Sequence, residues 1–587
     1  MTQTQSVFFC MNCLNFPTSR RLEQLRHFFG CLALSFAVAL PPAFAQDTNN
    51  AAASNSFSVT IKIDAAKPVG QIKPFWRFFG ADEPNYAYFP HGNKLIGELG
   101  ELRPQQVYFR AHNLLTSGDG TPALKWGSTG AYHEDAQGNP VYDWTILDRI
   151  FDTYLERGVR PYAQIGFMPK DLSTHPDPYQ HNFALNTRGT TLYTGWSYPP
   201  KDYAKWGELA YQWTKHCVEK YGRAEVEQWY WEVWNEANIG YWHGTPEEFR
   251  KLYDYAIDGV RRALPTARVG GPEVAGDGGP FTRGFLEHCL RGTNFATGKI
   301  GSPVDFISFH SKGSPQIVQG HEEMGISAEL RTIQNGFRIV ASFPELKDKP
   351  IIIGECDPES CAACDNLIGA YRNTTLYPSY TAACFVRAAD LAEKIGVNLE
   401  GAITWAFEFE DLPIFSNSRA LASQGLDKPV VNVFRMFSKM SGQRLAVESD
   451  GAVSLDTMVQ SGVRGNADVS AYASLDQGRL CVMVWNYHDV DVPGPEAEVS
   501  LNLTGLPAGG QPKLQEFRID HDHSNAYTAW QEMGKPLQPT PEQIAQLEKA
   551  SKLAALGQPE LIHVENGQAM VKMKLPRQAV SLVVIQW

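Results

Sequence analysis

Residues 229–238 read Trp-Tyr-Trp-Glu-Val-Trp-Asn-Glu-Ala-Asn, and the rest of the chain is arranged around them. Nearly every residue of 229–234 is aromatic or β-branched, which predicts a β-strand. Apolar side chains point to both sides, so we expect a strand buried on both faces, as in a parallel sheet covered by helices. Packing alone poorly explains a carboxylate at the end of such a strand. Glu236 is therefore a candidate general acid; the alternative is a glutamate that caps the next turn or pairs with a lysine.

Short apolar runs alternate with helical stretches between about residues 75 and 440. Eight strands are expected, at residues 77–80, 107–111, 160–167, 229–234, 267–270, 304–309, 350–354 and 402–407. Helices are expected between most of them, for example at 202–221, where apolar residues recur every three or four positions. This alternation predicts an α/β fold, a (β/α)8 TIM barrel. A doubly wound sheet would need a glycine-rich phosphate turn after its first strand, and the sequence has none.

The pattern changes at about residue 441, where short strands are separated by glycine, proline and aspartate turns. This pattern predicts an accessory β-sandwich, with one helix inserted at about 540–556. The alternating stretch 56–63 is expected to supply a further strand to it. We therefore predict four parts: a signal peptide (1–45), a leader with the first strand (46–74), a catalytic barrel (75–440) and a β-sandwich (441–587).

The N-terminal segment has the features of a signal peptide. Three arginines precede an apolar run from residue 28 to about residue 40, and Ala43-Phe44-Ala45 forms an Ala-x-Ala cleavage site. The apolar run is too short to span a bilayer comfortably. We predict export to the periplasm or the medium, with cleavage after Ala45 and no membrane attachment of the mature chain.

Composition restricts the classes of partner. The chain has 587 residues, of which 43% are hydrophobic and 20% charged, as in ordinary globular proteins. Its formal net charge of −12 and the lack of a basic stripe argue against a nucleic-acid partner. The 12% of aromatic residues suits a carbohydrate cleft, and equally a large β-rich core. No cofactor is predicted, and oligomeric state is left open.

Three cysteines lie close together after the seventh predicted strand, at Cys356, Cys361 and Cys364. In an oxidising compartment a local disulfide within this group is one interpretation. Free thiols are another. A zinc site is a third, although a fourth ligand at suitable spacing is missing, so no metal is assigned.

In a (β/α)8 barrel the active site lies at the carboxyl ends of the strands. Glu355 follows the apolar run 350–354 and mirrors Glu236. Strands four and seven lie across the barrel from each other, so the two carboxylates can face one another. The other candidates at strand ends are His112, Phe167, Asn235, His310, Lys312, Trp405 and Glu410.

Two facing carboxyl groups are what glycoside cleavage requires, because one protonates the leaving oxygen while the other attacks the anomeric carbon or activates water. A separation of about 5–5.5 Å retains the anomeric configuration and about 6.5–9.5 Å inverts it. Asn235 is expected to donate to the sugar 2-hydroxyl, and Trp405 to form the floor on which the sugar stacks.

Each remaining candidate has a plainer alternative. His112 contacts the sugar or is a structural histidine, and His310 contacts the sugar or holds Glu355 by a hydrogen bond. Trp405 and Phe167 line the site or belong to the core. Lys312 binds substrate or lies on the surface. Glu410 binds the sugar or is a solvated or salt-bridged carboxylate.

Several motifs resemble glycoside hydrolase family 39, the group of β-xylosidases and α-L-iduronidases. They are Phe-Arg-Ala-His at 109–112, Gly-Phe-Met-Pro at 166–169, Tyr-Pro-Pro-Lys-Asp-Tyr at 198–203, Trp-Tyr-Trp-Glu-Val-Trp-Asn-Glu at 229–236, Lys-Leu-Tyr at 251–253, Val-Gly-Gly-Pro at 269–272 and Gly-Leu-Asp-Lys-Pro at 425–429. The resemblance implies a barrel with a β-sandwich and a retaining mechanism. It matches Glu236 to the acid/base and Glu355 to the nucleophile.

Departures from the family pattern concern the sugar more than the chemistry. Ala237 stands where the family usually has proline, Ser311-Lys312-Gly313 follows His310, and the segment after Trp405 looks short. We predict an exo-β-1,4-xylosidase that takes part in xylan degradation by releasing xylose from xylo-oligosaccharides. An arabinose-specific glycosidase is the first alternative, and a non-catalytic carbohydrate-binding protein is the second. An iduronidase is disfavoured, because no basic cluster is evident at the strand ends.

Overall fold

The computed structural model describes residues 56–181, 183, 192–361, 367–410, 412–507 and 511–587. The predicted signal peptide, its cleavage site after Ala45 and the residue Cys364 lie outside these ranges. Within them the chain forms a barrel and a second, separate sheet.

Eight parallel strands close into a barrel in chain order, which confirms the predicted (β/α)8 architecture. The strand that precedes them, β1 (Phe57–Gln71), belongs to the second sheet. The barrel strands are β2 (Phe78–Ala81), β3 (Val107–Ala111), β4 (Val159–Ile165), β5 (Tyr230–Val233), β6 (Arg268–Val274), β7 (Phe306–Lys312), β8 (Pro350–Asp357) and β9 (Asn398–Trp405). Each predicted barrel strand has its counterpart here, and the largest differences, of four residues, are at the end of β6 and at the start of β9.

Helices cover the barrel and connect the strands. They are α1 (Pro90–Leu102), α2 (Thr145–Glu156), α3 (Tyr203–Tyr221), α4 (Arg223–Val226), α5 (Pro246–Ala263), α6 (Pro280–Arg291), α7 (Ile326–Ala341), α8 (Leu376–Ile395), α9 (Pro429–Ser438), α10 (Leu455–Ser461), α11 (Ala526–Glu532) and α12 (Pro541–Ser551). Short 3-10 helices span Pro84–Tyr88, Lys170–Leu172, Gly195–Ser197 and Leu367–Asn373. Helix α5 begins where the sequence indicates, because Thr245 and Glu248 form a reciprocal capping box ahead of Pro246.

The second sheet has nine strands and is one continuous hydrogen-bonded surface. After β1, its strands are β10 (Gln443–Ser449), β11 (Asp468–Asp476), β12 (Arg479–Tyr487), β13 (Ala497–Thr504), β14 (Lys513–Ile519), β15 (Ala554–Leu561), β16 (Ala569–Leu575) and β17 (Val580–Gln586). Their order is β15-β14-β17-β12-β11-β10-β1-β13-β16. The N-terminal strand β1 therefore lies near one side of the sheet, antiparallel to β10 and parallel to β13. Two-stranded pairs outside both sheets are Tyr132–Glu134 with Pro140–Tyr142, Gln316–Val318 with His321–Glu323, and Ala422–Ser423 with Leu426–Asp427.

The inside of the barrel is filled by large side chains, so it is a packed core beneath the mouth. They are Phe78, Tyr108, Tyr162, Tyr230, Phe306, Ile352, Ile403 and Trp405. Gly80 on β2 makes room for this packing, since a Cβ there would overlap the indole ring of Trp405. Among the described residues no helix is long and apolar enough to cross a membrane.

Candidate active site

The chain turns sharply at the end of β5 and so presents its polar residues at the barrel mouth. Trp234 and Glu236 both have left-handed backbone angles, with φ of 71° and 48°. Such backbone conformations in non-glycine residues are costly and tend to occur at functional sites. The amide of Glu236 donates to the carbonyl oxygen of Glu273 over 2.6 Å, which anchors this turn to β6.

Glu236 and Glu355 meet around one histidine nitrogen. Nδ1 of His310 lies 2.9 Å from Oε1 of Glu236 and 3.8 Å from Oε1 of Glu355. Since both distances end on the same nitrogen, the two Oε1 atoms are separated by at most 6.7 Å, the total of 3.8 and 2.9 Å. The side chain of Glu236 keeps 17% of its surface exposed and that of Glu355 8%. The two carboxylates thus lie beside each other, and each keeps part of its surface exposed.

Basic side chains surround Glu355. Nζ of Lys312 lies 2.8 Å from its Oε2, and Nε2 of His112 lies 3.7 Å from its Oε1. Burial alone would raise the pKa of Glu355, but the charges of His310, Lys312 and Arg419 hold that pKa well below its usual value. A carboxylate held ionised and aimed into a cavity is suited to act as a nucleophile.

His310 is held from its other side by Glu273, at the end of β6. Nε2 of His310 lies 2.7 Å from Oε1 of Glu273. Burial alone would lower the pKa of His310, but the negative charges of Glu355 and Glu273 raise that pKa to about 10. The imidazole is therefore a cation that faces carboxylates at both nitrogens.

A buried network beneath the mouth orients Asn235. Arg110 donates from Nε to Glu232 over 2.6 Å and from Nη2 to the side-chain oxygen of Asn235 over 3.0 Å. This contact directs the Asn235 amide nitrogen away from Arg110, and that nitrogen is buried with no hydrogen-bond partner among the described residues. A buried, unpaired donor is costly, and a substrate hydroxyl would satisfy it.

The structure places the remaining candidates at different depths. His112 is buried, with Nδ1 at 2.7 Å from Asp82, and its ring lies 5.5 Å from that of Phe167. Trp405 is only 1% exposed, with its ring 4.4 Å from that of His112. Contact of these three residues with sugar stays a prediction. Glu410 contacts His91 at the start of α1, accepting from its backbone amide and lying 2.8 Å from its Nδ1, and its contact with sugar stays a prediction.

Three functional residues escaped the sequence analysis. Glu273 was missed because β6 was expected to end at residue 270, although it continues to Val274. Asp357 ends β8 and accepts from Lys312 over 2.5 Å. Arg419, from the loop after β9, lies 3.7 Å from Asp357. Lys312 and Arg419 together form the basic cluster that was not evident at the strand ends, so the reason given against an iduronidase is wrong.

The cysteines after Glu355 divide into two kinds. Cys361 is disulfide-bonded, which excludes the zinc interpretation because a disulfide sulfur is not a thiolate. Cys356 is a buried free thiol. It lies with Glu329 and Cys384 in a group whose potential metal-ligand atoms are within 4.8 Å of one another. Both oxygens of Glu329 are already taken, by the Cys356 thiol at 3.1 Å and by the Tyr380 hydroxyl, so the group is a complete hydrogen-bonded unit.

The family model of glycosyl hydrolases family 39 matches residues 59–560, which include the barrel and most of the second sheet. The chain belongs to glycosyl hydrolases family 39. It is therefore a glycoside hydrolase, and an oligosaccharide is the substrate class that this family suggests.

The relatives within family 39 are named for two different activities. A "Beta-xylosidase" of Caldicellulosiruptor saccharolyticus is 27% identical over 508 residues, covering 84% of this chain and 91% of that protein. An "Alpha-L-iduronidase" of Mus musculus is 26% identical over 528 residues, covering 83% of this chain and 75% of that protein. The two identities are too close to decide between the sugars.

Solved structures have the same fold as this family 39 chain. A bacterial orthologue of human α-L-iduronidase superposes with a TM-score of 0.72 at 20% identity, covering 90% of this chain and 84% of that one. A monomeric β-xylosidase from Caulobacter crescentus CB15 superposes with a TM-score of 0.70 at 21% identity, covering 90% of this chain and 99% of that one. At these identities the likeness concerns the fold alone.

Proposed function

We propose that the protein is an exported, retaining exo-glycosidase whose leading substrate is a β-1,4-linked xylo-oligosaccharide. The observation that carries the proposal is the meeting of Glu236 and Glu355 at Nδ1 of His310. The limit of 6.7 Å between their Oε1 atoms supports retention, because inverting enzymes keep the two carboxyl groups about 6.5–9.5 Å apart to hold a water between them. Export is supported by the arginines and the apolar run before Ala45.

The reaction proceeds in two displacements at this pair. In the first, Glu236 gives a proton to the glycosidic oxygen while the ionised Glu355 attacks the anomeric carbon, forming a glycosyl ester and releasing the leaving sugar. In the second, Glu236 takes a proton from water, and the resulting nucleophile releases the sugar from Glu355. The amide of Asn235 donates to the 2-hydroxyl, a contact that strengthens as positive charge develops on the ring.

Xylose is proposed as the glycone because the β-xylosidase relative matches over 91% of its length. A second candidate, a uronic acid glycone, is favoured by one specific observation. Lys312 and the buried Arg419 converge beside Glu355, and Nη1 of Arg419 has no hydrogen-bond partner among the described residues. A sugar carboxylate would satisfy this guanidinium by a charge-assisted hydrogen bond.

A panel of 4-nitrophenyl glycosides tests the sugar and the catalytic pair together. We expect the highest kcat/KM on the β-xyloside, above the α-L-arabinofuranoside, the arabinopyranoside and the iduronide. Glu355→Ala is expected to abolish turnover, whereas Glu287→Ala, which removes an exposed carboxylate on α6, should leave it unchanged. A faster arabinoside or iduronide would replace the xylose assignment, and full activity of Glu355→Ala would remove the hydrolase mechanism.

Lys312→Met separates the two candidate sugars within one protein. If the glycone is uronic, the loss of this cation should lower kcat/KM on the iduronide far more than on the xyloside, because only the iduronide carries a carboxylate for Lys312 to bind. An equal loss on both substrates assigns Lys312 to Glu355 alone.

A further inference from the structure

Glu273 is a buried carboxylate that the two-displacement mechanism does not use. It comes from β6, whereas Glu236 follows β5 and Glu355 lies near the end of β8. Its Oε1 lies 2.7 Å from Nε2 of His310 and 3.2 Å from Nη2 of Arg110. No part of its side chain is exposed, so it acts on the site through the residues that it contacts, His310 and Arg110.

The barrel makes room for this carboxylate at one particular position. Residue 354, directly before the nucleophile, is glycine, and a Cβ there would overlap the Glu273 carboxyl group. Its φ is not in the left-handed region, so the backbone itself does not require glycine. The glycine at position 354 thus leaves the space beside Glu355 that the Glu273 carboxyl group occupies.

We propose that Glu273 is a positioning residue for the glycosidase reaction, which fixes the His310 ring as a cation whose Nδ1 faces the gap between Glu236 and Glu355. This inference rests on the proposed function, because it gives His310 its role through those two carboxylates. His310 then binds Oε1 of Glu236 by a hydrogen bond, and from 3.8 Å its charge keeps Glu355 ionised.

The charges around the pair support a fixed ionised state of Glu273. Glu232 and Arg110 face it from β5 and β3, and His310 faces it from β7. Burial alone would raise the pKa of Glu273, but Arg110 and His310 lower that pKa to about 2. Burial and the charge of Glu273 raise the pKa of Glu232 to about 8. The two buried carboxyls disfavour each other's ionisation, and Glu273 is the one that the charge of His310 holds ionised.

This difference supplies a matched pair of variants. Glu273→Gln removes the carboxylate that contacts His310, whereas Glu232→Gln makes the same change at a carboxyl group that contacts Arg110, Tyr162 and Ser308. Histidine side-chain ¹⁵N NMR between pH 5 and 9 follows the protonation of His310, whose signal is assigned by its loss in His310→Gln. We expect His310 to remain protonated through pH 8 in the wild type and in Glu232→Gln, and to lose its proton at least one pH unit earlier in Glu273→Gln.

Kinetics supply the second readout. His310 loses its proton as pH rises, so the alkaline limb of kcat/KM in Glu273→Gln should begin at least one pH unit lower than in the wild type, whereas the acid limb, where His310 is still protonated, should keep its place. A merely structural role for Glu273 would lower the height of the profile without moving it. If His310 stays protonated in Glu273→Gln, the proposal is overturned. The NMR result does not require turnover, so it also separates this proposal from a failure of the proposed hydrolase function.

A double-mutant cycle tests the space left by Gly354 independently of charge. Gly354→Ala should lower kcat/KM at least tenfold in the wild type, because it displaces the Glu273 carboxylate. The same change in a Glu273→Ala background should alter kcat/KM less than about threefold, since nothing remains to clash. Equal losses in both backgrounds would contradict the assignment of that space to Glu273.

Discussion

The ammonium nitrogen of Lys312 lies 2.8 Å from Oε2 of Glu355. Strand β7 thus places a cation beside the carboxylate that lies near the end of β8. The same nitrogen lies 2.5 Å from Asp357, two residues further along β8. This pairing explains in part how a buried carboxylate stays ionised, and it supplies the first prediction.

Lys312→Met should shift the acid limb of kcat/KM to higher pH. Lysine stabilises the ionised form of Glu355, so removing it raises the pKa of that carboxyl and protonates the nucleophile earlier as pH falls. A pH–rate profile measures the shift, which we expect to be about one unit or more. Lys312→Arg keeps the charge and serves as the control; a shift of equal size in both variants would show that charge is not the cause.

Asn235→Ala should lower kcat about 100-fold, corresponding to about 2.7 kcal/mol of transition-state stabilisation. The physical reason is the loss of the free amide donor expected to bind the sugar 2-hydroxyl. The check is a comparison of parent and 2-deoxy glycosides. On the 2-deoxy substrate, which lacks the acceptor, wild type and variant should be nearly equal. A 100-fold loss there too would assign Asn235 a role other than this contact.

Gly80→Ala should destabilise the barrel by about 1–3 kcal/mol, because its methyl group would overlap the indole of Trp405 in a closely packed interior. Thermal unfolding followed by circular dichroism measures the effect. Gly70→Ala in β1 is the matched control, since a Cβ there meets nothing within 4 Å. Equal stability of the two variants would show that the interior around Trp405 adapts freely.

The sequence predicts most readily what depends on local pattern. Glu236 and Glu355 each follow an apolar run whose end is easily located in the sequence, and both runs are buried strands. Glu273 follows the run Gly270-Gly271-Pro272, and glycine and proline usually mark the end of a strand, so the sequence does not indicate that Glu273 belongs to β6. Here that run lies inside β6.

A local pattern does not predict which residues from distant parts of the chain become neighbours in the fold. Arg419 reaches Asp357 only because the loop after β9 folds back over the mouth, and no spacing in the sequence indicates this. The sheet order is another example: β1 lies between β10 and β13, far from both along the chain. Period-two alternation predicts that such strands exist, whereas their partners depend on the packing of the complete chain.

The anomeric configuration of the first-formed sugar tests the central claim most directly. Proton NMR during hydrolysis of the preferred nitrophenyl glycoside reports it before mutarotation. If Glu236 and Glu355 act by two displacements, the first product has the same anomeric configuration as the substrate. A first product of the opposite configuration would contradict the account, because it requires a single attack by water and no glycosyl ester on Glu355.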